Sequence, residues 1–187
     1  MDKISRPMNI FLIGYRCTGK TTVGRRLAHK LEWQFMDSDV ILMAKHGMTV
    51  ADMVSRLGWE EFRSREKIVI RELGEMDGVV VATGGGVVLD PDNVDSMKKS
   101  GHAVIWLTAD IETIMARMGQ DAENEKLRPA LTDRPIETEI VETLAQRTPL
   151  YQSAMNLRIE TDHCSAEQIC CKILNHLRKS YAGKFIR

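Results

Sequence analysis

The residues of this chain that point most directly to chemistry are Gly14-Tyr15-Arg16-Cys17-Thr18-Gly19-Lys20-Thr21, which match G-x-x-x-x-G-K-[S/T] in full. Phosphate oxygens need several backbone N–H groups converging on them, and a tight turn running onto a helix N-terminus supplies that arrangement. The expected phosphate contacts are Gly14, Cys17, Thr18, Gly19, Lys20, Thr21 and Thr22. Lys20 adds a positive charge for the β- and γ-phosphates of a nucleoside triphosphate, and the Thr21 hydroxyl is placed to ligate Mg²⁺. The surroundings agree. Asn9-Ile10-Phe11-Leu12-Ile13 precedes the motif as a strand-like apolar run, and Val23, Leu27 and Leu31 follow it at helical spacing.

A phosphate cradle names the phosphoryl donor and leaves the acceptor open. Open α/β sheets bind ligands at the carboxyl ends of their strands, so the residues after each strand carry the next clues. Asp37 and Asp39 follow the second strand at i, i+2 and point to one side of an extended chain. One carboxylate suits the metal's surroundings, Asp37 with Thr21, and the other suits an acceptor hydroxyl. Asp39 also reads as an N-cap for the following helix. Thr83-Gly84-Gly85-Gly86 follows the third strand, and three glycines let a ligand approach exposed N–H groups, or simply make a tight turn.

Arg147 lies on a stripe with Ile140, Leu144 and Tyr151, at steps of four, three and four. A guanidinium on an inward stripe needs an anion, because burying it unpaired is costly. The alternative is an arginine snorkelling at the rim. Arg63, beside Phe62 at the edge of another apolar face, reaches towards the same cleft. Two arginines with backbone N–H groups suit a small carboxylate, and an aspartate suits hydroxyls. Together they describe a hydroxylated carboxylic acid, a description that also fits gluconate.

Short apolar runs alternate with amphipathic stretches along the chain, which predicts a parallel sheet with crossover helices. The strands are 9–13, 34–37, 79–82, 103–107 and 156–159. Thr49 and Asp52 cap a helix with Val50, Met53, Val54 and Leu57 on one stripe, broken at Gly58 and resumed from Glu60 to Leu73. Asp90-Pro91 starts another helix, and Asp110 caps a further one. Ser165 and Gln168 form a capping box before Ile169, Ile173 and Leu177. Pro149 kinks or ends the helix of Arg147 nearby. The polar, aperiodic stretch 119–126 is a long loop, and such loops carry function.

Composition excludes several classes. With 26 basic against 26 acidic residues in 187, the chain gives no reason to expect nucleic acid or an anionic membrane as partner. The four cysteines show no secreted-framework spacing, no apolar run reaches the length of a membrane span, and no signal peptide is read. A cytoplasmic protein follows as the expectation. The five histidines lack metal-ligand spacing and read as surface residues.

The ordered motifs identify a resemblance. The P-loop continuing into Thr22-Val23-Gly24-Arg25-Arg26-Leu27-Ala28 is similar to the opening of the shikimate kinase family, as are Asp37-Ser38-Asp39, Glu61-Phe62-Arg63, Gly84-Gly85-Gly86, Arg128-Pro129 and Arg147 through Tyr151. The chain resembles that family over nearly its whole length. The resemblance implies a three-layer αβα P-loop NTPase fold, with a five-stranded parallel sheet in the order 2-3-1-4-5. It implies one domain over 1–187, a lid at about 119–131 and substrate-binding helices at about 38–73. It implies a monomer that phosphorylates shikimate on its 3-hydroxyl with Mg²⁺ and ATP, in the route to aromatic amino acids. Asp39, Arg63, Gly84, Gly85, Gly86 and Arg147 would contact shikimate, Arg117 would stack on adenine, and Arg128 would reach the transferring phosphate from the lid. Three features depart from the family: Cys17 in place of a glycine, a longer segment between Arg117 and Arg128, and Arg128-Pro129-Ala130-Leu131 in place of Arg-Pro-Leu-Leu.

Overall fold

A computed structural model describes residues 8–99, 102–120 and 135–180. Its centre is β1 (Ile10–Ile13), whose four side chains are all buried because it lies inside the sheet and is covered on both faces. The chain continues through α1 (Lys20–Leu31), β2 (Gln34–Asp37), α2 (Ser38–His46), α3 (Val50–Gly74) and β3 (Val79–Ala82). A short 3₁₀ turn at Val87–Leu89 leads to α4 (Pro91–Met97), β4 (Ala103–Thr108) and α5 (Ile111–Gln120). After the segment 121–134 come α6 (Ile136–Ala154), β5 (Leu157–Glu160) and α7 (Ala166–Ser180). All strand pairs are parallel, in the order β2-β3-β1-β4-β5, with Ile10 opposite both Val80 and Ala103. The expected fold and strand order are thereby borne out.

The two-residue period of the strands sorts the core into two layers. Phe11, Ile13, Val79, Val81, Val104 and Trp106 face one way and pack on apolar residues of α2, α3, α4 and α6. Ile10, Leu12, Val80, Ile105 and Leu107 face the other way, against Val23 and Leu27 of α1 and Ile169, Ile173 and Leu177 of α7. A third cluster, Tyr15, Ile114, Met118 and Ile140, seats α5 and α6 beside the phosphate loop.

The helix starts follow the capping chemistry. Thr49 Oγ1 accepts from Asp52 N at 3.0 Å, Asp90 caps the helix that opens on Pro91, and Ser165 and Gln168 bond reciprocally at 2.8 and 3.2 Å. The break at Gly58 is present, with φ 84° and ψ 168° inside α3.

Several expectations are corrected. Leu57 is exposed, because the break at Gly58 ends the buried stripe before it. The helix cap before α2 is Asp37, which accepts from Asp39 N and Val40 N, so Asp39 is released from that role. Pro149 neither ends nor divides α6. The hydrogen bond it lacks would have ended on the carbonyl of Ala145, an exposed residue, so the missing bond does not leave a buried carbonyl unpaired. His102 is buried, accepting from Asn9 N at 3.1 Å through Nδ1 while Nε2 meets Gly74 O at 3.0 Å. The helix α5 continues through Gln120, so the expected lid begins with helical residues. Its remainder, Arg128 included, lies outside the described residues.

Candidate active site

The phosphate loop forms because the backbone crosses close to β4. A Cβ on Gly14, whose φ is 139°, would lie 2.2 Å from Leu107 O, so no other residue fits. Thr18 Oγ1 donates to Tyr15 O at 2.8 Å and closes the turn. Gly19, with φ 87°, precedes α1. The Lys20 ammonium bends back over the loop, donating to Gly14 O at 2.8 Å and Tyr15 O at 2.6 Å. Cys17 adopts φ 62°, the left-handed conformation that suits the glycine expected there. Its carbonyl is gripped by Arg117 Nη1 at 3.1 Å, and the same guanidinium holds Thr161 Oγ1 at 3.0 Å and Thr161 O at 3.1 Å. Arg117 is thus fastened beside the phosphate loop.

At the other side of the loop, Thr21 Oγ1 donates to Asp37 Oδ2 at 3.1 Å. A hydroxyl and a carboxylate meeting there make a pair of hard oxygen donors of the kind Mg²⁺ takes. Among the described residues no cluster of three His, Cys, Asp or Glu could hold a metal by itself. The remaining ligands of a cation here would come from phosphate oxygens and water.

The triple glycine after β3 is where Asp39, Glu66 and Arg63 converge. A Cβ on Gly84 would fall 2.8 Å from Asp39 Oδ1 and 2.9 Å from Glu66 Oε1. One on Gly86 would fall 2.1 Å from Arg63 Nη2. One on Gly85 would stand 3.5 Å from both Gly14 O and Arg16 N, so this turn packs against the phosphate loop itself. Ser38 Oγ accepts from Gly84 N at 3.1 Å and ties the turn to α2. Arg63 is held at 2.7 Å by Glu66 Oε2 and lies over the rings of Trp59 and Phe62. Arg147 is buried on α6, as its spacing predicts. A cavity of about 760 Å³ is lined by the loop from Tyr15 to Val23, Asp37, Asp39, Arg63, Glu66, Gly84, Gly85, Gly86, Arg117 and Arg147. Every candidate residue from the sequence except Arg128 is therefore either on this wall or, for Gly14, directly behind it.

Two buried carboxylates beside the site escape sequence reasoning. Glu66 is 2% exposed, with Oε1 lacking a hydrogen-bond partner among the described residues. Burial pushes its carboxyl above the usual range, the Asp39 charge adds to this, and Arg63 and Arg147 oppose it. The signal was available: Glu66 stands between Phe62 and Ile70 on the buried stripe of α3, the same position that singled out Arg147. The second is Glu139 on α6, 1% exposed, which pairs with Arg16 and accepts from Tyr15 OH at 3.4 Å. The buried residues of α6 are Glu139, Ile140, Thr143, Arg147, Tyr151 and Ala154, whereas Leu144 is only half-buried. Tyr151 stacks on Trp106 and donates to Gly85 O, and burial pushes its phenol up to about 12, so it stays a donor.

Comparison with known proteins places this geometry. The shikimate kinase family model matches residues 16–178. A curated shikimate kinase from Syntrophus aciditrophicus is 39% identical over 91% of this chain and 91% of its own. A solved shikimate kinase from Acinetobacter baumannii, in complex with shikimate, superposes with a TM-score of 0.86 at 33% identity, covering 94% of this chain and 95% of that one. A gluconokinase from Sinorhizobium meliloti reaches only 0.57 at 15% identity and shares the fold alone.

Proposed function

The chain belongs to the shikimate kinase family, and on that footing we propose how its residues divide the work of an ATP-dependent phosphotransferase acting on a hydroxyl group. Arg63 and Arg147 hold the carboxylate of shikimate, with the backbone of Gly84, Gly85 and Gly86 beneath the ring. Asp39 orients the 3-hydroxyl. The hydroxyl oxygen forms a bond to the γ-phosphorus while the bond from that phosphorus to the β–γ bridging oxygen breaks, leaving ADP. The hydroxyl proton passes to Asp39.

Phosphoryl transfer asks the protein mainly for position and charge, so the cations do the rest. Lys20 neutralises the β- and γ-phosphates, with loop N–H groups from Cys17 to Thr22 around them. Arg128 reaches the transferring phosphate from the lid, whose closure excludes water. Arg117 lies against the adenine. Thr21 and Asp37 would hold Mg²⁺, which would supply charge neutralisation at the phosphate oxygens. All these groups come from one chain, in keeping with a monomer, and the reading places the enzyme in the cytoplasm. No helix among the described residues is long and apolar enough to cross a membrane.

The observation that carries the reading is the convergence of Asp39, Arg63 and Glu66 on a glycine turn packed against the phosphate loop. Steady-state kinetics test it. Arg147→Ala is expected to raise the shikimate KM about tenfold or more while leaving the ATP KM intact, since a carboxylate contact is uniform binding. Asp39→Asn should instead lower kcat by about 10² or more, because proton transfer belongs to the transition state. Interchanged signatures would overturn the assignment.

A further inference from the structure

Helix α6 touches both halves of the site. Near its start, the carboxylate of Glu139 pairs with the Arg16 guanidinium and accepts from Tyr15 OH at 3.4 Å, and both partners belong to the phosphate loop. Near its end, Tyr151 OH donates to Gly85 O, in the turn beneath the acceptor. Arg147 lies between them on the same buried stripe. Glu139 and Tyr151 are twelve residues apart, about 18 Å of helix.

The Glu139 contact to the loop is a buried ion pair. Its carboxylate is 1% exposed and the Arg16 side chain 13%, so water screens the pair little. The loop bonds that ATP must rearrange lie next to it. Lys20 donates to the carbonyls of Gly14 and Tyr15, and it has to exchange these for phosphate oxygens when nucleotide binds. That exchange acts on the two residues preceding Arg16.

We propose that Glu139 is a positioning residue that couples the two substrates: through Arg16 it transmits nucleotide binding along α6 to Arg147, so that each substrate tightens the binding of the other. The inference rests on the site reading above, with nucleotide on the phosphate loop and the acid on Arg147. Linkage requires the effect to be mutual and of one size. Glu139 touches neither substrate in this account; it acts through the orientation of α6.

The test is calorimetric titration of the full chain with shikimate, alone and with saturating ADP and Mg²⁺. Native protein should bind shikimate at least about fivefold more tightly with ADP present. Glu139→Gln keeps the shape and an acceptor oxygen but loses the charge, and its ratio should fall below about two. Arg16→Met should give the same loss from the other side. A parallel rise of both dissociation constants with the ratio preserved would mark Glu139 as merely structural and overturn the proposal, as would a native ratio of one. Should Glu139→Gln fail to fold by circular dichroism, the double variant Arg16→Met/Glu139→Gln leaves no buried charge unpaired and is judged by the same ratio. Native protein that binds neither ligand would sink the reading of the site itself, whereas a lost ratio with both ligands bound leaves that reading standing.

Discussion

Arg63 and Gly86 touch so closely that a methyl group on Gly86 would stand 2.1 Å from Arg63 Nη2 and 2.6 Å from Cζ. The guanidinium is pressed against bare backbone on one side, gripped by Glu66 at 2.7 Å, and backed by Trp59 and Phe62. A cation so confined presents one face to the cavity, which is what recognition of a small carboxylate requires.

Gly86→Ala should therefore displace Arg63 without harming the phosphate loop. The shikimate KM is expected to rise about tenfold, some 1.4 kcal/mol, with the ATP KM unchanged within about twofold. Initial rates over a grid of both substrates measure this. An equal rise in both constants would mean the whole turn had moved.

Glu66 gives a stability prediction with a defined sign. Its folded-state pKa is raised, with burial the largest cause, so the native state holds its proton more firmly than the unfolded chain. Stability from this group is full below the ordinary carboxylate range and falls as pH rises from there through the raised value. Glu66→Gln removes that slope. Thermal denaturation across pH should show the variant gaining on the native protein towards neutrality, the two converging in acid. Its shikimate KM should rise as well, because Arg63 loses a charged partner. A variant less stable than native at every pH would show that the pair with Arg63 outweighs burial.

Cys17 occupies a left-handed conformation, φ 62°, in which any side chain is strained by about 1 kcal/mol or more. Glycine relieves this but gains freedom in the unfolded chain, by about 0.4–1 kcal/mol, so Cys17→Gly should melt at or slightly above the native temperature. Cys17→Val adds a β-branch to the same angle and should lose about 2–4 °C, the equivalent of about 1 kcal/mol at this size. Differential scanning calorimetry decides, and a valine variant as stable as native would show that the loop rearranges freely.

The parts of this architecture legible in the sequence are those encoded locally. The phosphate loop is eight contiguous residues, and the strands are short apolar runs whose covering helices follow in order. Arg147 was legible because its apolar neighbours recur at helical spacing, and α6 keeps that register past Pro149. What escaped was encoded by partners distant in sequence. The buried stripe of α6 is half polar, because Glu139 and Tyr151 bond to the phosphate loop and the glycine turn, so hydrophobic periodicity understates it. Asn9 read as the first residue of an apolar strand. It is instead a buried clasp, donating to Leu73 O and Met76 O and accepting from Val79 N. His102 read as a surface residue because nothing nearby in the chain reveals that Asn9 N and Gly74 O enclose it.

The most direct measurement is ATP consumption by the purified protein with shikimate, with gluconate, and with no acceptor. Arg63, Arg147 and Asp39 sharing one hydroxy-acid beside the phosphate loop predicts rapid turnover with shikimate, yielding 3-phosphoshikimate and ADP in equal amounts. Turnover with gluconate should be near the acceptor-free background. ATP hydrolysis indifferent to shikimate, or faster with gluconate, would contradict the account.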